Sequence, residues 1–262
     1  MSGPGRFVSV RRDDRVAVVT LERPEALNAI SGDLAEQLAA ACRAVASDPE
    51  AWVVVLAAAG DRAFCVGADL KERNAFSDED LRAQRPVFRA AFGGVLGLPM
   101  PVVAAVHGFA LGGGFEFALS CDLIVCDETA VVGLPEVTVG VIPGGGGTQL
   151  LMRRVGMARA SDLVFTGRRL EVAEAEALGL VDRRVPPGRD REEALELASV
   201  IAANSPVGVR NAKRALREGW GLDLAAGLAV EDAGWQATAF SGDRIEGVAA
   251  FNEKRRPDWP GE

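Results

Sequence analysis

Three uninterrupted apolar runs constrain this chain most. Residues 52–59 (WVVVLAAA), 102–106 (VVAAV) and 123–126 (LIVC) carry no polar side chain on either face. A strand that is apolar at every position must be covered on both faces, as in a parallel sheet between packed layers. Parallel neighbours need crossovers long enough to hold a helix, and helical patterns occupy the intervals. Ser31 or Asp33 can cap a helix whose Leu34, Leu38, Ala41, Cys42 and Val45 share one face, ending near Asp48-Pro49. A second is entered through Ser77 and spans 78–96, and a third covers 115–120. Ahead of them, Phe7, Val8 and Val10 and then residues 16–21 predict a hairpin around Asp13-Asp14-Arg15. Segments 60–73 and 108–114 read as a loop and a turn, and 130–132 as a further strand. From Thr148 the pattern is helical, at 148–155, 157–165, 171–178, 190–203, 206–218, 222–239 and 243–253, with one strand-like piece at 180–185. The fold class is α/β, divided into a core at 1–190 and a helical C-terminal region at 191–262.

Composition narrows the function classes. With 262 residues, 48% of them hydrophobic, the chain has ample material for a core. A formal net charge of -8 argues against a general nucleic-acid role, since phosphate binding needs clustered Lys and Arg. The four cysteines (Cys42, Cys65, Cys121, Cys126) form no CxxC pair and read as reduced thiols of a cytoplasmic protein. The N-terminal MSGPGRFVSVRRDD has no apolar leader segment. The longest apolar stretch, 99–120, is broken by His107, four glycines and Glu116, which excludes a membrane span.

The chemistry gathers in residues 101–147. A strand passing through Gly112, Gly113 and Gly114 into a helix leaves the first helical N–H groups free, at the end of the dipole that favours negative charge. Such donors suit an oxyanion, and Glu116, three residues past Gly113, shares that face of the helix. A second donor can come from Ala68 in CVGAD, where Gly67 permits a tight bend. Glu116 stands between Phe115 and Phe117, and Glu136 between Pro135 and Val137. Taken singly, the first reads as a structural acid bonded to a nearby N–H and the second as a first-turn glutamate facing a helix dipole. Together, two weakly solvated acids offer a general base and a general acid. His107, the only histidine, has no nucleophile motif beside it and reads as a core or turn residue, and no spacing supports a metal site. GVIPGGGGTQ lacks the ending of a phosphate-binding P-loop.

Four segments, AVHGFALGGGFEFALSCDL, GLPEVTVGVIPGGGGTQ, RPEALNAI and FCVGADLKE, together with the C-terminal GDRIEGVAAFNEKRRP, resemble the signatures of the crotonase, or enoyl-CoA hydratase/isomerase, superfamily. The resemblance runs in order over essentially the whole chain. It implies a crotonase-like spiral of ββα units with a helical C-terminal oligomerisation region, assembled as a homotrimer or dimer of trimers. It also implies that Ala68 and Gly113 form the oxyanion hole for a thioester carbonyl, with Glu116 and Glu136 holding a water and Glu136 protonating C2. Glu25, Ala26, Leu27, Asp69, Leu70 and Lys71 would border coenzyme A, and Gly144 would help hold the water. The implied substrate is an acyl-CoA thioester, with coenzyme A arriving as part of it and no separate cofactor. Keeping both acids favours an enoyl-CoA hydratase giving 3-hydroxyacyl-CoA; the alternatives are a 3,2-enoyl-CoA isomerase or a non-catalytic acyl-CoA- or RNA-binding member. Phe115 departs from the small residue common at that position and implies a reshaped acyl pocket. LDLAAGLAVEDAGWQATAF with IPGGGGTQ is similar to the methylglutaconyl-CoA hydratase branch. RNA binding in that branch uses a lysine-rich first helix, whereas the helix here carries Arg43 against Asp33 and Glu36.

Overall fold

The computed structural model describes residues 6–262; the first five residues of the N-terminal stretch discussed above lie outside them. An antiparallel hairpin, β1 (Val8–Asp13) and β2 (Val16–Leu21), leads through a 3-10 turn at Pro24–Ala26 into α1 (Gly32–Ala46). Ser31, rather than Asp33, caps α1, its hydroxyl accepting from Leu34 N at 3.2 Å. Next come β3 (Val53–Ala58), β4 (Ala63–Cys65), the single turn α2 (Leu70–Arg73) and α3 (Asp78–Leu96), whose Ser77 and Asp80 form a reciprocal capping box.

The chain then repeats a motif. β5 (Val102–Val106) and β6 (Phe109–Leu111) precede α4 (Gly113–Ser120), and β7 (Leu123–Asp127) and β8 (Val131–Gly133) precede a 3-10 turn at Glu136–Val139. Helices α5 (Gly147–Val155) and α6 (Met157–Thr166), strand β9 (Arg169–Glu171), α7 (Val172–Ala177), β10 (Arg183–Val185) and α8 (Asp190–Ala202) follow, then α9 (Pro206–Gly219), α10 (Leu224–Ala239) and α11 (Gly242–Glu253). In each repeat the first strand enters a six-stranded sheet ordered β1-β2-β3-β5-β7-β10. The second strand enters a four-stranded sheet ordered β4-β6-β8-β9. Apart from the β1/β2 and β8/β9 pairs, all neighbours run parallel.

The large sheet is covered on both faces, as its unbroken apolar strands require. Val54, Leu56, Val102 and Ala104 join the main core with α1, α3 and α4, where Leu34, Leu38 and Phe92 pack. Val53, Val55, Val103 and Ala105 point the other way, against Ala194, Leu197 and Ala198 of α8. Leu38 is fully buried, and truncating it to alanine would cost about 2–5 kcal/mol through lost transfer energy and the cavity left behind.

The small sheet corrects the sequence reading. Segment 60–73 contains β4 and α2, and 108–114 contains β6, although both read as irregular. Likewise β9 takes Glu171 from the predicted helix 171–178, and only Arg183–Val185 of the predicted strand 180–185 pairs with β7. Three-residue strands are too short for a period of two to register in a sequence.

Candidate active site

Two close backbone approaches bring the β4 and β6 repeats together. Gly114, in the first turn of α4, lies against the end of β4, and a Cβ there would sit 1.9 Å from Cys65 O. Gly67 has φ +89°, and a Cβ on it would lie 2.9 Å from Leu111 O and 3.2 Å from Gly113 N. Only glycine satisfies either position. The Ala68 and Gly113 segments, 45 residues apart in sequence, therefore meet. Both residues are partly exposed, and the N–H of neither donates to another group among the described residues. Gly113 is the first residue of α4, so its N–H has no partner within the helix.

Glu116 projects from α4 and is 3% exposed. Its Oε1 accepts from Gly145 N and Gly147 N, both at 2.7 Å. Burial raises its pKa above the ordinary carboxylate value, while those N–H donors and the positive charge of Arg85 oppose the rise. Glu136 opens the 3-10 turn after β8, and a Cβ on Gly112 would lie 3.2 Å from its Oε1. Its Oε2 is buried without a hydrogen-bond partner. Burial pushes Glu136 up to about 7; its own backbone N–H counteracts this, and the nearby charge of Glu116 adds to it. The two acids thus share a site in unlike environments, one gripped by a loop and the other unpaired.

The connector ahead of α1 borders the same region. Val66 N donates to Leu27 O (3.2 Å), Ile30 N to Gly67 O (2.8 Å) and Asp69 N to Ile30 O (3.0 Å), forming a short ladder beside Ala68. Asp69 is fully engaged: Oδ1 caps α2 by accepting from Lys71 N and Glu72 N, and Oδ2 pairs with Arg23 at 2.7 Å. Burial works to raise its pKa, yet the bonds from Arg23, Glu72 N and Lys71 N hold it below the usual range. Leu70 is 58% exposed, and the Lys71 and Glu25 side chains are also open to solvent, with Ala26 and Leu27 half-buried behind them. Gly144 sits at the edge of the loop that grips Glu116, and its carbonyl accepts from Arg85 at 2.8 Å.

Other candidates fall away from this site. Phe115 is 1% exposed within the main core, and the ring that walls the site is Phe92, 3.2 Å from a Cβ on Gly113 and 2.6 Å from one on Gly145. His107 is buried with Nδ1 3.1 Å from Asp190 Oδ2. All four cysteines are buried and free. Among the described residues, no three His, Cys, Asp or Glu side chains cluster to hold a metal ion.

The enoyl-CoA hydratase/isomerase family model matches residues 11–262. The chain belongs to this family. The Bacillus subtilis protein YngF, an enoyl-CoA hydratase/isomerase by name, is 41% identical over 250 residues, covering 95% of this chain and 96% of its own. Rat mitochondrial methylglutaconyl-CoA hydratase is 38% identical over 251 residues, covering 94% of this chain and 80% of its own. Among solved structures, the enoyl-CoA hydratase of Bacillus anthracis aligns with a TM-score of 0.95 at 41% identity, over 98% of this chain and 100% of that one. The spiral of ββα units expected from the sequence motifs is thus the observed fold.

Within this enoyl-CoA hydratase/isomerase site, several residues escaped the sequence reading. Asn28 is fully buried with φ +53°; its Oδ1 accepts from Arg23 N, and its Nδ2 donates to Ala59 O and Ala63 O. It ties the connector to the ends of β3 and β4, and a polar residue before a helix is the only sequence signal it gives. Ile30, bridged to Ala68 ahead of α1, and Phe92, on the apolar side of α3, look like any core position in the sequence. Arg85 is an exposed helix residue whose partner lies 59 residues away.

Proposed function

We propose that the protein is an enoyl-CoA hydratase, adding water across the 2,3 double bond of a 2-enoyl-CoA thioester to give 3-hydroxyacyl-CoA. The observation that carries this reading is the meeting of two shielded carboxylates in opposed environments beside the free N–H groups of Ala68 and Gly113. Oε1 of Glu116 is already an acceptor for two N–H groups, which leaves Oε2 to take a proton from water. The hydroxyl oxygen bonds to C3 and the π electrons move toward the thioester oxygen. There the Ala68 and Gly113 N–H groups stabilise the negative charge as it develops. Protonated Glu136 delivers its proton to C2, and transfer of a proton from Glu116 back to Glu136 resets the pair. With a pKa of about 7, Glu136 is matched to proton donation near neutrality.

The exposed Leu70 and Lys71, with Glu25, Ala26 and Leu27, offer an apolar border carrying one base and one acid for coenzyme A, while Asp69 acts by fixing that border and Gly144 by edging the water site. Addition of water is redox-neutral, so this reading calls for no cofactor or metal beyond the coenzyme A of the substrate. Exposed Leu216, Trp220, Leu224 and Trp235 on α9, the following turn and α10 support a homotrimer or dimer of trimers. Four free buried thiols support a reducing compartment, the cytoplasm. No helix among the described residues is long and apolar enough to cross a membrane.

Loss of the absorbance of but-2-enoyl-CoA and of longer and branched 2-enoyl-CoAs tests the proposal. Glu116→Gln and Glu136→Gln should each lower kcat by roughly 10²–10⁴-fold. An inactive Glu136→Gln beside a nearly unaffected Glu116→Gln would instead mark a 3,2-enoyl-CoA isomerase. No turnover of any 2-enoyl-CoA by folded protein would sink the hydratase reading.

A further inference from the structure

We propose that Lys213 and Arg217 of α9 are positioning residues for the reaction, closing a clasp at Asp122 that sets where the Gly113 N–H and Glu116 stand. The inference rests on the hydratase reading above. Residues 102–122 hold β5, β6 and α4, and hence both groups. The two ends of this segment are tied to each other: Asp122 N donates to Val102 O at 2.9 Å, and Val102 N donates to Asp122 Oδ2 at 2.8 Å. Lys213 Nζ locks the join, donating to Met100 O at 2.7 Å and to Asp122 Oδ2 at 2.8 Å. Arg217 donates to the other carboxylate oxygen, Oδ1, from Nε at 2.9 Å and from Nη2 at 2.7 Å. Its guanidinium also reaches the last residues of two helices, Nη2 donating to Ser120 O of α4 and Nη1 to Leu96 O of α3, both at 3.0 Å. Carbonyls at a helix C-terminus lack partners within the helix and stand at the negative end of its dipole, so a cation suits both places.

The clasp lies at the far end of the elements that form the site. In α4, Gly113 and Ser120 are the first and last of eight residues, about 10 Å apart along a stiff rod, so a displacement of one end is passed to the other. α5 runs alongside: its first residue, Gly147, donates to Glu116 Oε1 at 2.7 Å, and Arg154 near its end donates to Asp122 O at 3.2 Å. The two helices are thus joined at both ends. α3 enters the same frame through Phe92, whose ring centre is 4.4 Å from that of Phe117. Ala68 and Glu136 lie outside it, in the segments after β4 and β8. Loosening the clasp therefore moves one donor and one acid against a donor and an acid that stay in place. Lys213 is 8% exposed, and a cation held so deep is costly unless paired. Burial lowers its pKa, while Asp122 opposes the fall.

The test compares the native protein with Arg217→Gln, Lys213→Gln and Arg217→Lys. Arg210→Gln is the control, since Arg210 also projects from α9 but donates to Ala51 O at 3.1 Å, ahead of β3 rather than on α3 or α4. Hydration of but-2-enoyl-CoA is followed well below the melting temperature of each protein. Arg217→Gln and Lys213→Gln should lower kcat about 10–100-fold with little change in KM, the signature of groups misplaced for the transition state. Arg217→Lys should lie between, and it carries the test if a glutamine variant does not fold; Arg210→Gln should match the native protein. Infrared spectra of bound butanoyl-CoA supply a second readout. Hydrogen bonds to the thioester carbonyl lower its stretching frequency, and the lowered band should move back up in the clasp variants but not in Arg210→Gln. Variants that melt earlier yet keep the native kcat and carbonyl band would overturn the inference, since the clasp would then only stabilise the fold. So would an Arg210→Gln that loses kcat to the same extent. A carbonyl band that responds as expected in a protein that hydrates no 2-enoyl-CoA would sink the hydratase reading and leave the clasp standing.

Discussion

Replacing Glu136 by glutamine should make the protein more stable as the pH rises, while destroying activity. In the folded chain burial pushes this carboxyl group from an ordinary 4.5 to about 7, and its Oε2 has no donor to compensate. Because the folded state holds the proton more tightly than the unfolded one, stability associated with this group is fully present below pH 4.5. It is lost as the pH climbs to about 7, after which the loss is constant. Each tenfold change in proton affinity is worth about 1.4 kcal/mol, which sets a ceiling of roughly 3 kcal/mol. Glu136 is half-buried rather than sealed, so solvent screening brings the expectation to about 2 kcal/mol. The assay is urea unfolding of the wild-type protein and Glu136→Gln at pH 5 and pH 8. A glutamine that packs poorly shifts both pH values equally, so the informative quantity is the change in the difference between the two proteins. Glu136→Gln should gain about 2 kcal/mol relative to wild type between pH 5 and pH 8. A difference that stays constant, or moves the other way, would refute the claim that this carboxylate is held in an unfavourable charged state.

Other consequences are equally open to measurement. Gly114→Ala forces a methyl group onto the Cys65 carbonyl and should cost at least about 3 kcal/mol, seen as a lowered melting temperature or loss of soluble protein. Asn28→Ala strands Arg23 N, Ala59 O and Ala63 O and should cost about 2–4 kcal/mol, whereas Glu25→Ala on the exposed rim should stay within about 0.5 kcal/mol in the same melt. His107 loses by burial but gains more from Asp190, so its pKa is raised. The stability it contributes is present below pH 6.5 and fades as the pH rises through the folded value, so His107→Gln should cost more at pH 5.5 than at pH 8.5 in urea unfolding. Burial pushes the Cys42 and Cys65 thiols up to about 12 and raises Cys121 and Cys126 further. A thiol reagent should therefore find almost no reactive group in the native protein and four after denaturation.

The large sheet was legible in the sequence because burial on two faces leaves an unmistakable signature, VVVLAA or VVAAV without a polar break. The two acids were legible for the converse reason, a charged side chain amid phenylalanines or between proline and valine. The small sheet was legible only at 130–132, because β4, β6 and β9 have three residues each and pair only through tertiary contact. Asp69 illustrates a second limit. Its place in the coenzyme A border was read from a motif, but Arg23 and the N–H groups of α2 claim both of its oxygens, a competition visible only in three dimensions. Arg85 gave no signal at all, since a guanidinium on a polar helix stretch looks like any solvated cation until Gly144 arrives from 59 residues away.

The placement of the second strands in the small sheet has a consequence for how this site can change. Adjacent β4, β6 and β8 each hand the chain on to one group of the proposed site: Ala68 after β4, Gly113 after β6 and Glu136 after β8. Neighbouring strands lie about 4.8 Å apart, a spacing fixed by backbone hydrogen bonds rather than by side chains. The sheet thus acts as a ruler, with donor, donor and acid mounted on successive graduations. Side chains can be exchanged at any one mark without moving the others, whereas a residue inserted between a strand and its mark displaces one reactive group against two that stay put. New chemistries on this scaffold should therefore arise by substitution at the marks and by lengthening the loops beyond them.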